Sequence, residues 1–185
     1  MRYTDIMNIV EKADAFAEKA HGDVNQVRKY TGEPYIAHPR EVRAILKKYA
    51  SGHISPEQEA AALCHDVVED TNMTLNDVRN ELGDEVANLV SWLTDVSKPT
   101  DGNRRIRKNM DLQHTAGAPP AAKSIKCCDL VSNTLSIVEH DKNFAKVYLK
   151  EKKALLTVLG EADKGVLSLA HQVLEKAEKD LQLSK

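Results

Sequence analysis

The sequence predicts an all-α protein folded as a single helical bundle, and three observations carry that expectation. Apolar residues recur with a 3.6-residue rhythm, as in Ile6, Ile9, Val10, Ala13, Phe16, Ala17 and Ala20. Helix start and stop signals punctuate the chain, among them Ser55-Pro56-Glu57-Gln58 and Gly83. Runs of alternating β-branched residues, the mark of half-buried strands, do not appear. At 185 residues the chain fits one domain, residues 1–185, long enough for a real core.

Residues 4–20 read as an amphipathic helix, with Thr4 or Asp5 placed to cap it. From His21 onward the periodicity stops, and Gly22, Gly32, Pro34 and Pro39 punctuate a loop that carries the basic pair Arg28-Lys29. Pro39 suits the first position of the next helix, with Val42, Ile45, Leu46 and Tyr49 facing inward. Ser55-Pro56-Glu57-Gln58 is a capping box with proline at N1, and it starts the helix that delivers His65 and Asp66. Thr74-Leu75-Asn76-Asp77 is a weaker version of the signal, and Gly83 ends that short helix. Asp84 begins another, with Val86, Leu89, Val90 and Leu93 inward and Trp92 packing.

Residues 98–102 and 116–120 read as loops. Between them, Asn103-Arg104-Arg105-Ile106-Arg107-Lys108 is the densest basic patch in the chain. It is either a solvated helix face or a clamp on phosphate, which arginine suits by its planar fork of donors. A long helix follows over about residues 121–140, with Ile125, Cys128, Leu135 and Val138 apolar. Two further helices, roughly residues 144–159 and 163–181, are separated by Gly160.

Composition excludes several function classes. The shares of hydrophobic residues, 42%, and charged residues, 29%, are those of an ordinary globular protein. Aromatic residues make up 4%, so the core is expected to be Leu, Ile, Val and Ala. A net charge of −2, with no basic half, gives no global electrostatic case for DNA or RNA binding. No apolar run approaches the roughly 18 residues needed to span a membrane. The three cysteines, Cys64, Cys127 and Cys128, contain no C-x-x-C pair, which argues against a disulfide scaffold or a zinc-thiolate site. Each sits in an apolar stretch and reads as a small hydrophobe. The N-terminus lacks the apolar core of a secretory signal, so the expected location is the cytoplasm. Oligomeric state leaves no mark in the sequence.

The unusual residues are charges in apolar surroundings. Ala60-Ala61-Ala62-Leu63-Cys64 leads a helix inward, and His65, Asp66, Glu69 and Asp70 crowd its end as two i,i+4 pairs. Asp129 falls in Cys127-Cys128-Asp129-Leu130-Val131, and an aspartate is rarely buried without a partner. Asn133 lies at i+4 from Asp129 and faces the same way. His38 stands at a helix start. Together His38, His65, Asp66 and Asp129 make a nitrogen and oxygen donor set suited to Mn²⁺, Fe²⁺ or Zn²⁺. Such an ion would acidify a water and polarise a phosphoryl oxygen. Glu69 and Asp70 would orient that water or handle protons, while arginines and Lys29 would offset the charge of a phosphorylated substrate.

This H…HD…D order, with ED one turn after HD, resembles the HD-domain metal-dependent phosphohydrolases. Within them it is similar to the hydrolase domain of the Rel/Spo alarmone enzymes and its small stand-alone version. The resembling segments are Arg28-Lys29-Tyr30-Thr31-Gly32-Glu33-Pro34-Tyr35-Ile36-Ala37-His38-Pro39, Ala61-Ala62-Leu63-Cys64-His65-Asp66-Val67-Val68-Glu69-Asp70-Thr71 and Ala122-Lys123-Ser124-Ile125-Lys126-Cys127-Cys128-Asp129-Leu130-Val131-Ser132-Asn133. The resemblance covers roughly residues 16–160.

What the resemblance implies is an all-α HD-domain bundle that removes the 3′-pyrophosphate of guanosine tetra- and pentaphosphate with Mn²⁺. It implies metal ligation by His38, His65, Asp66 and Asp129, and water activation or proton transfer by Glu69 and Asp70. It also implies that Arg28 stacks on the purine, that Lys29 and Tyr35 lie near the nucleotide, that Asn133 contacts the ribose and that Arg104 binds phosphate. Two departures touch the third segment: Leu130 stands where a basic residue is common, and Cys128 precedes Asp129 where alanine is usual. With the chain ending at Lys185, the expectation is hydrolysis without alarmone synthesis. Arg28 stacking tolerates any purine, so adenosine-based alarmones and the 2′-phosphate of NADPH stay open as substrates. So do a nucleotide sensor without turnover and a structural bundle with a buried polar network.

Overall fold

The computed structural model describes residues 8–183. Among them the fold is all-α: α1 (Ile9–Asp23), α2 (Ala37–Tyr49), α3 (Pro56–Leu63), α4 (Val67–Asp70), α5 (Leu75–Leu82), α6 (Asp84–Leu93), α7 (Arg104–Ala116), α8 (Pro120–His140), α9 (Lys142–Leu156) and α10 (Lys164–Leu183). A 3-10 turn over Pro99–Asp101 precedes α7, and an isolated bridge pairs Val27 with Pro34. None of these helices is long and apolar enough to cross a membrane.

The bundle is organised around α8, which packs on α2, α3, α6, α9 and α10. Its middle is buried almost all round, from Ala122 through Ile125, Cys127, Cys128 and Leu130 to Thr134. With apolar residues on most of its faces, this stretch belongs inside. α1 packs on α3, and their buried faces are alanines: Ala13, Ala17 and Ala20 on one, Ala60, Ala61 and Ala62 on the other. All three cysteines are free and buried.

The helix signals hold with local differences. α1 is capped by Asn8, which exchanges bonds with Glu11 in a capping box; Thr4, Asp5 and Ile6 lie outside the described residues. α1 also runs on through His21 and Gly22, since neither breaks a helix already held by its packing. Pro39 falls at the third position of α2, still within the first turn, where a missing N–H costs nothing. Ser55 caps α3 by accepting from Gln58 N, but the Gln58 side chain bonds Ala121 O on α8 instead of returning to close a box. Tyr49, expected inward, is 39% exposed, and Leu135 of the long apolar helix is 52% exposed. Thr74 and Asp77 form the full capping box of α5, and Gly83 ends it at φ +90°.

One joint locks the end of α2 to the start of α10. The Asp163 carboxylate accepts from Ser51 N at 2.9 Å, Ser51 Oγ at 3.0 Å, Gly52 N at 2.8 Å and Gly165 N at 2.8 Å. Asp163 N in turn donates to Ser124 Oγ of α8. Gly165 lies so close to α2 that a Cβ there would sit 2.0 Å from Tyr49 O.

Candidate metal centre

The helix expected to run through His65 and Asp66 breaks before them. α3 ends at Leu63, and Cys64 and Asp66 adopt φ −105° and −103° with ψ near zero before α4 begins at Val67. His65 and Asp66 therefore occupy a turn, not an i,i+4 helical face. The break lets two adjacent side chains aim at one point, which a helix forbids to residues i and i+1. His65 Nε2 lies 3.0 Å from Asp66 Oδ2.

His38, in the first turn of α2, brings its Nε2 to 3.6 Å from Asp66 Oδ2 and 3.2 Å from Asp129 Oδ1. Asp129 Oδ1, from mid-α8, lies 3.7 Å from His65 Nε2. The four residues named from sequence thus converge from α2, the α3–α4 turn and α8. Both histidines are 1% exposed.

The outer hydrogen bonds fix which atoms face inward. His65 Nδ1 donates to Ala62 O at 2.9 Å. Ser132 Oγ donates to Glu41 Oε2 at 2.7 Å, so its oxygen accepts from His38 Nδ1 at 2.9 Å. With both Nδ1 protons committed outward, the two Nε2 atoms present lone pairs to two carboxylates. His65 Nε2 is buried with no hydrogen-bond partner in line. Four facing acceptors repel one another unless an added proton or a metal ion sits among them. Burial by itself would depress His65, but Asp66 and Asp129 outweigh it and raise the imidazole to about 10. The cluster therefore demands positive charge, and a mixed imidazole and carboxylate set fits a divalent metal.

Glu69 and Asp70 follow on α4 and line a cleft of about 830 Å³ that also reaches Asp66 and Asp129. Glu69 is open to this cleft but ringed by protein. Burial, then the Asp95 carboxylate, push its carboxyl up to about 7. Its Oε2 accepts from Asp95 N at 3.2 Å. Asp70 Oδ2 accepts from Gln26 Nε2 at 2.9 Å.

Of the substrate residues named from sequence, three line the cleft. Tyr35 donates its hydroxyl to Asp66 Oδ2 at 2.7 Å, Asn133 donates Nδ2 to Asp129 Oδ1 at 2.6 Å, and Arg104 forks onto Glu151 at 2.7 and 2.8 Å. The first two thus hold in place the carboxylates that face the two imidazoles. Arg28 and Lys29 are not brought to this lining. Arg28 forms a small hairpin through Arg28 N to Glu33 O, and Lys29 lies over the Tyr30 ring, 3.8 Å from Asp141.

Sequence reasoning missed Asp95, Lys126 and Lys152, which line the same cleft; Lys108, also on the lining, belongs to the basic patch read there as a solvated face or a phosphate clamp. Lys108 pairs with Asp95 at 2.7 Å. Lys126 donates to Leu93 O at 3.2 Å. Burial would lower it, yet Asp129, Asp95, Glu69 and Asp66 outweigh that and raise it, so it stays a cation among acids. Burial pulls Lys152 below its ordinary value. The signal for Lys126 was present: like Asp129, it is a charge inside an apolar run.

The HD-domain profile matches residues 13–118. The chain is 30% identical over 172 residues to the guanosine-3′,5′-bis(diphosphate) 3′-pyrophosphohydrolase of Aquifex aeolicus (strain VF5), covering 93% of this chain and 24% of that protein. It is 34% identical over 128 residues to a probable GTP pyrophosphokinase of Mycobacterium leprae (strain TN), covering 69% of this chain and 16% of that one. The chain thus spans about a quarter or less of these curated relatives. Among solved structures it resembles a metazoan ortholog of SpoT that hydrolyzes ppGpp and plays a role in starvation responses. The TM-score is 0.80 at 23% identity, over 95% of this chain and 98% of that one.

Proposed function

This chain belongs to the HD-domain family, and on that premise we propose that it is a metal-dependent pyrophosphohydrolase acting on guanosine tetra- and pentaphosphate. The products are GDP or GTP and pyrophosphate. One observation carries the proposal: two imidazole Nε2 atoms, their protons committed outward, face Asp66 and Asp129 at 3.0–3.7 Å. The similarity to the Aquifex aeolicus enzyme over 93% of the chain supports the substrate.

His38, His65, Asp66 and Asp129 would hold the metal, and manganese would suit their mixed donors, with Fe²⁺ and Zn²⁺ as rivals. When bound, such an ion would supply Lewis acidity toward water and a phosphoryl oxygen. The chain's own residues do the rest. Glu69, with a carboxyl near neutrality, takes the proton of the attacking water as its oxygen bonds to phosphorus. Asp70 orients that water. The bond between phosphorus and the ribose 3′ oxygen breaks, and the proton returns to that oxygen. Tyr35 and Asn133 keep Asp66 and Asp129 aimed inward, and Lys126 limits the repulsion among the acids. Arg104, Lys108 and Lys152 line the cleft as cations for a polyphosphate. Residues 1–185 work as one hydrolase domain, and the free buried cysteines suit a reducing cytoplasm.

The test is a panel of nucleotides assayed with Mn²⁺ and with chelator: guanine and adenine 3′,5′-bis(diphosphates) and NADPH. Manganese-dependent pyrophosphate release, fastest from the guanine compound, is the expected result. Preference for the adenine compound or NADPH would move the substrate, and tight binding without product would make the protein a sensor.

A further inference from the structure

A chain of polar contacts runs from the buried His21 of α1 to the exposed Asp70. His21, in the last turn of α1, is 1% exposed, and its Nδ1 lies 2.6 Å from Gln26 Oε1. Gln26 Nε2 reaches Asp70 Oδ2 at 2.9 Å. The loop that carries Gln26 is fixed on both sides. Gln26 N donates to His21 O at 3.0 Å, Tyr35 N donates to Gln26 O at 3.2 Å, and Asn25 takes φ +53° to turn the backbone between them.

The proton inventory of the chain has one solution. Asp70 is a carboxylate and accepts, so Gln26 must turn its NH₂ toward Asp70 and its carbonyl oxygen toward His21. His21 must then donate from Nδ1. Its Nε2 is a buried lone pair with no hydrogen-bond partner. Burial holds this imidazole below its ordinary value despite the nearby Gln26, Asp66 and Asp70, so it stays neutral. Without a donor at His21 the Gln26 amide is free to flip, since its oxygen and nitrogen are nearly the same size. The flipped amide would set its oxygen against the Asp70 carboxylate and release it. The same imidazole packs at 4.7 Å on the ring of Tyr35, whose hydroxyl holds Asp66.

The geometry points to His21 and Gln26 as positioning residues that aim the Asp70 carboxylate, His21 acting through the amide of Gln26. This rests on the hydrolytic reading of the site, in which Asp70 orients the attacking water. Neither residue touches the metal-facing atoms, so their effect is on turnover and not on ion or substrate affinity.

The experiment compares Gln26→Leu, His21→Leu and His21→Asn, in the full chain and again in an Asp70→Ala background, with thermal unfolding checked for each. Asn Nδ2 falls near the place of His Nδ1 and keeps the donor. The expected result is a kcat about 10–100-fold lower for Gln26→Leu and His21→Leu at nearly constant KM, with His21→Asn recovering most of it. In the Asp70→Ala background Gln26→Leu should add no loss, because its only route to the chemistry is gone. An equal loss in both backgrounds, or His21→Asn as impaired as His21→Leu, would overturn the proposal. A second readout needs no activity: ring ¹⁵N shifts should show His21 neutral with the proton on Nδ1. The Nε2-protonated tautomer would overturn the proposal even in an active enzyme. Failure of the hydrolytic reading looks different, since it leaves the unaltered protein inert toward every nucleotide.

Discussion

Two carboxylate sites of this molecule invite comparison. Asp163 receives backbone and hydroxyl donors from Ser51, Gly52 and Gly165, so its charge is answered within the chain. Burial would raise its pKa, but those donors outweigh burial and hold it below its ordinary value. Asp66 and Asp129 look across at the two imidazole Nε2 atoms, and besides Tyr35, Asn133 and the nearby Lys126 cation the chain sets no donors around them to match those on Asp163. The difference separates an acid that builds the fold from acids held ready for something external. Saturation with N–H donors marks the first kind, and acceptors facing acceptors mark the second.

Substitutions sharpen the contrast. The largest effect is expected from Asp129→Asn, which should abolish metal retention and hydrolysis while leaving the helical signal intact; metal analysis and circular dichroism report the two separately. Glu69→Gln should lower kcat by about 10²–10⁴-fold, the usual worth of a positioned proton acceptor, with metal content unchanged. The pH profile comes next. Glu69 must be ionised to accept a proton and its carboxyl sits near 7. Activity should therefore fall about tenfold per pH unit below that value and level off above it. In Glu69→Gln that limb should vanish.

At the joint the pattern should invert. Asp163→Ala is expected to cost about 1–3 kcal/mol of stability in denaturant unfolding, from lost charged hydrogen bonds, with turnover per folded molecule unchanged. Because the native carboxyl is depressed, its contribution is present above the unfolded-state pKa and is lost as pH falls through the native one. Gly165→Ala should destabilise by about 1–3 kcal/mol, since its Cβ would meet Tyr49 O. A joint variant that loses activity while fully folded would break the comparison.

The parts legible in the sequence were those where one residue conflicts with its neighbours. Asp129 among Cys127, Cys128, Leu130 and Val131 announced a buried acid, and Thr74 with Asp77 announced a helix start. The break at Cys64 was not legible, because Ala62-Leu63-Cys64 carries neither glycine nor proline. Gln58 shows the same limit, since its local signal was right for a box and a distant carbonyl on α8 claimed the side chain. Lys108 and Asp95 meet across separate elements, and no local pattern joins residues so far apart.

The joint at Gly165 also bears on the metal centre. α2 is tied to α8 at one end through His38 and Ser132. At its other end Ser51 and Gly52 hold Asp163, whose N–H is tied to Ser124 of the same α8. Like a rail pinned to its neighbour by two rungs, α2 has no freedom to slide lengthwise, so the depth to which His38 reaches is gauged from the far end of the rod.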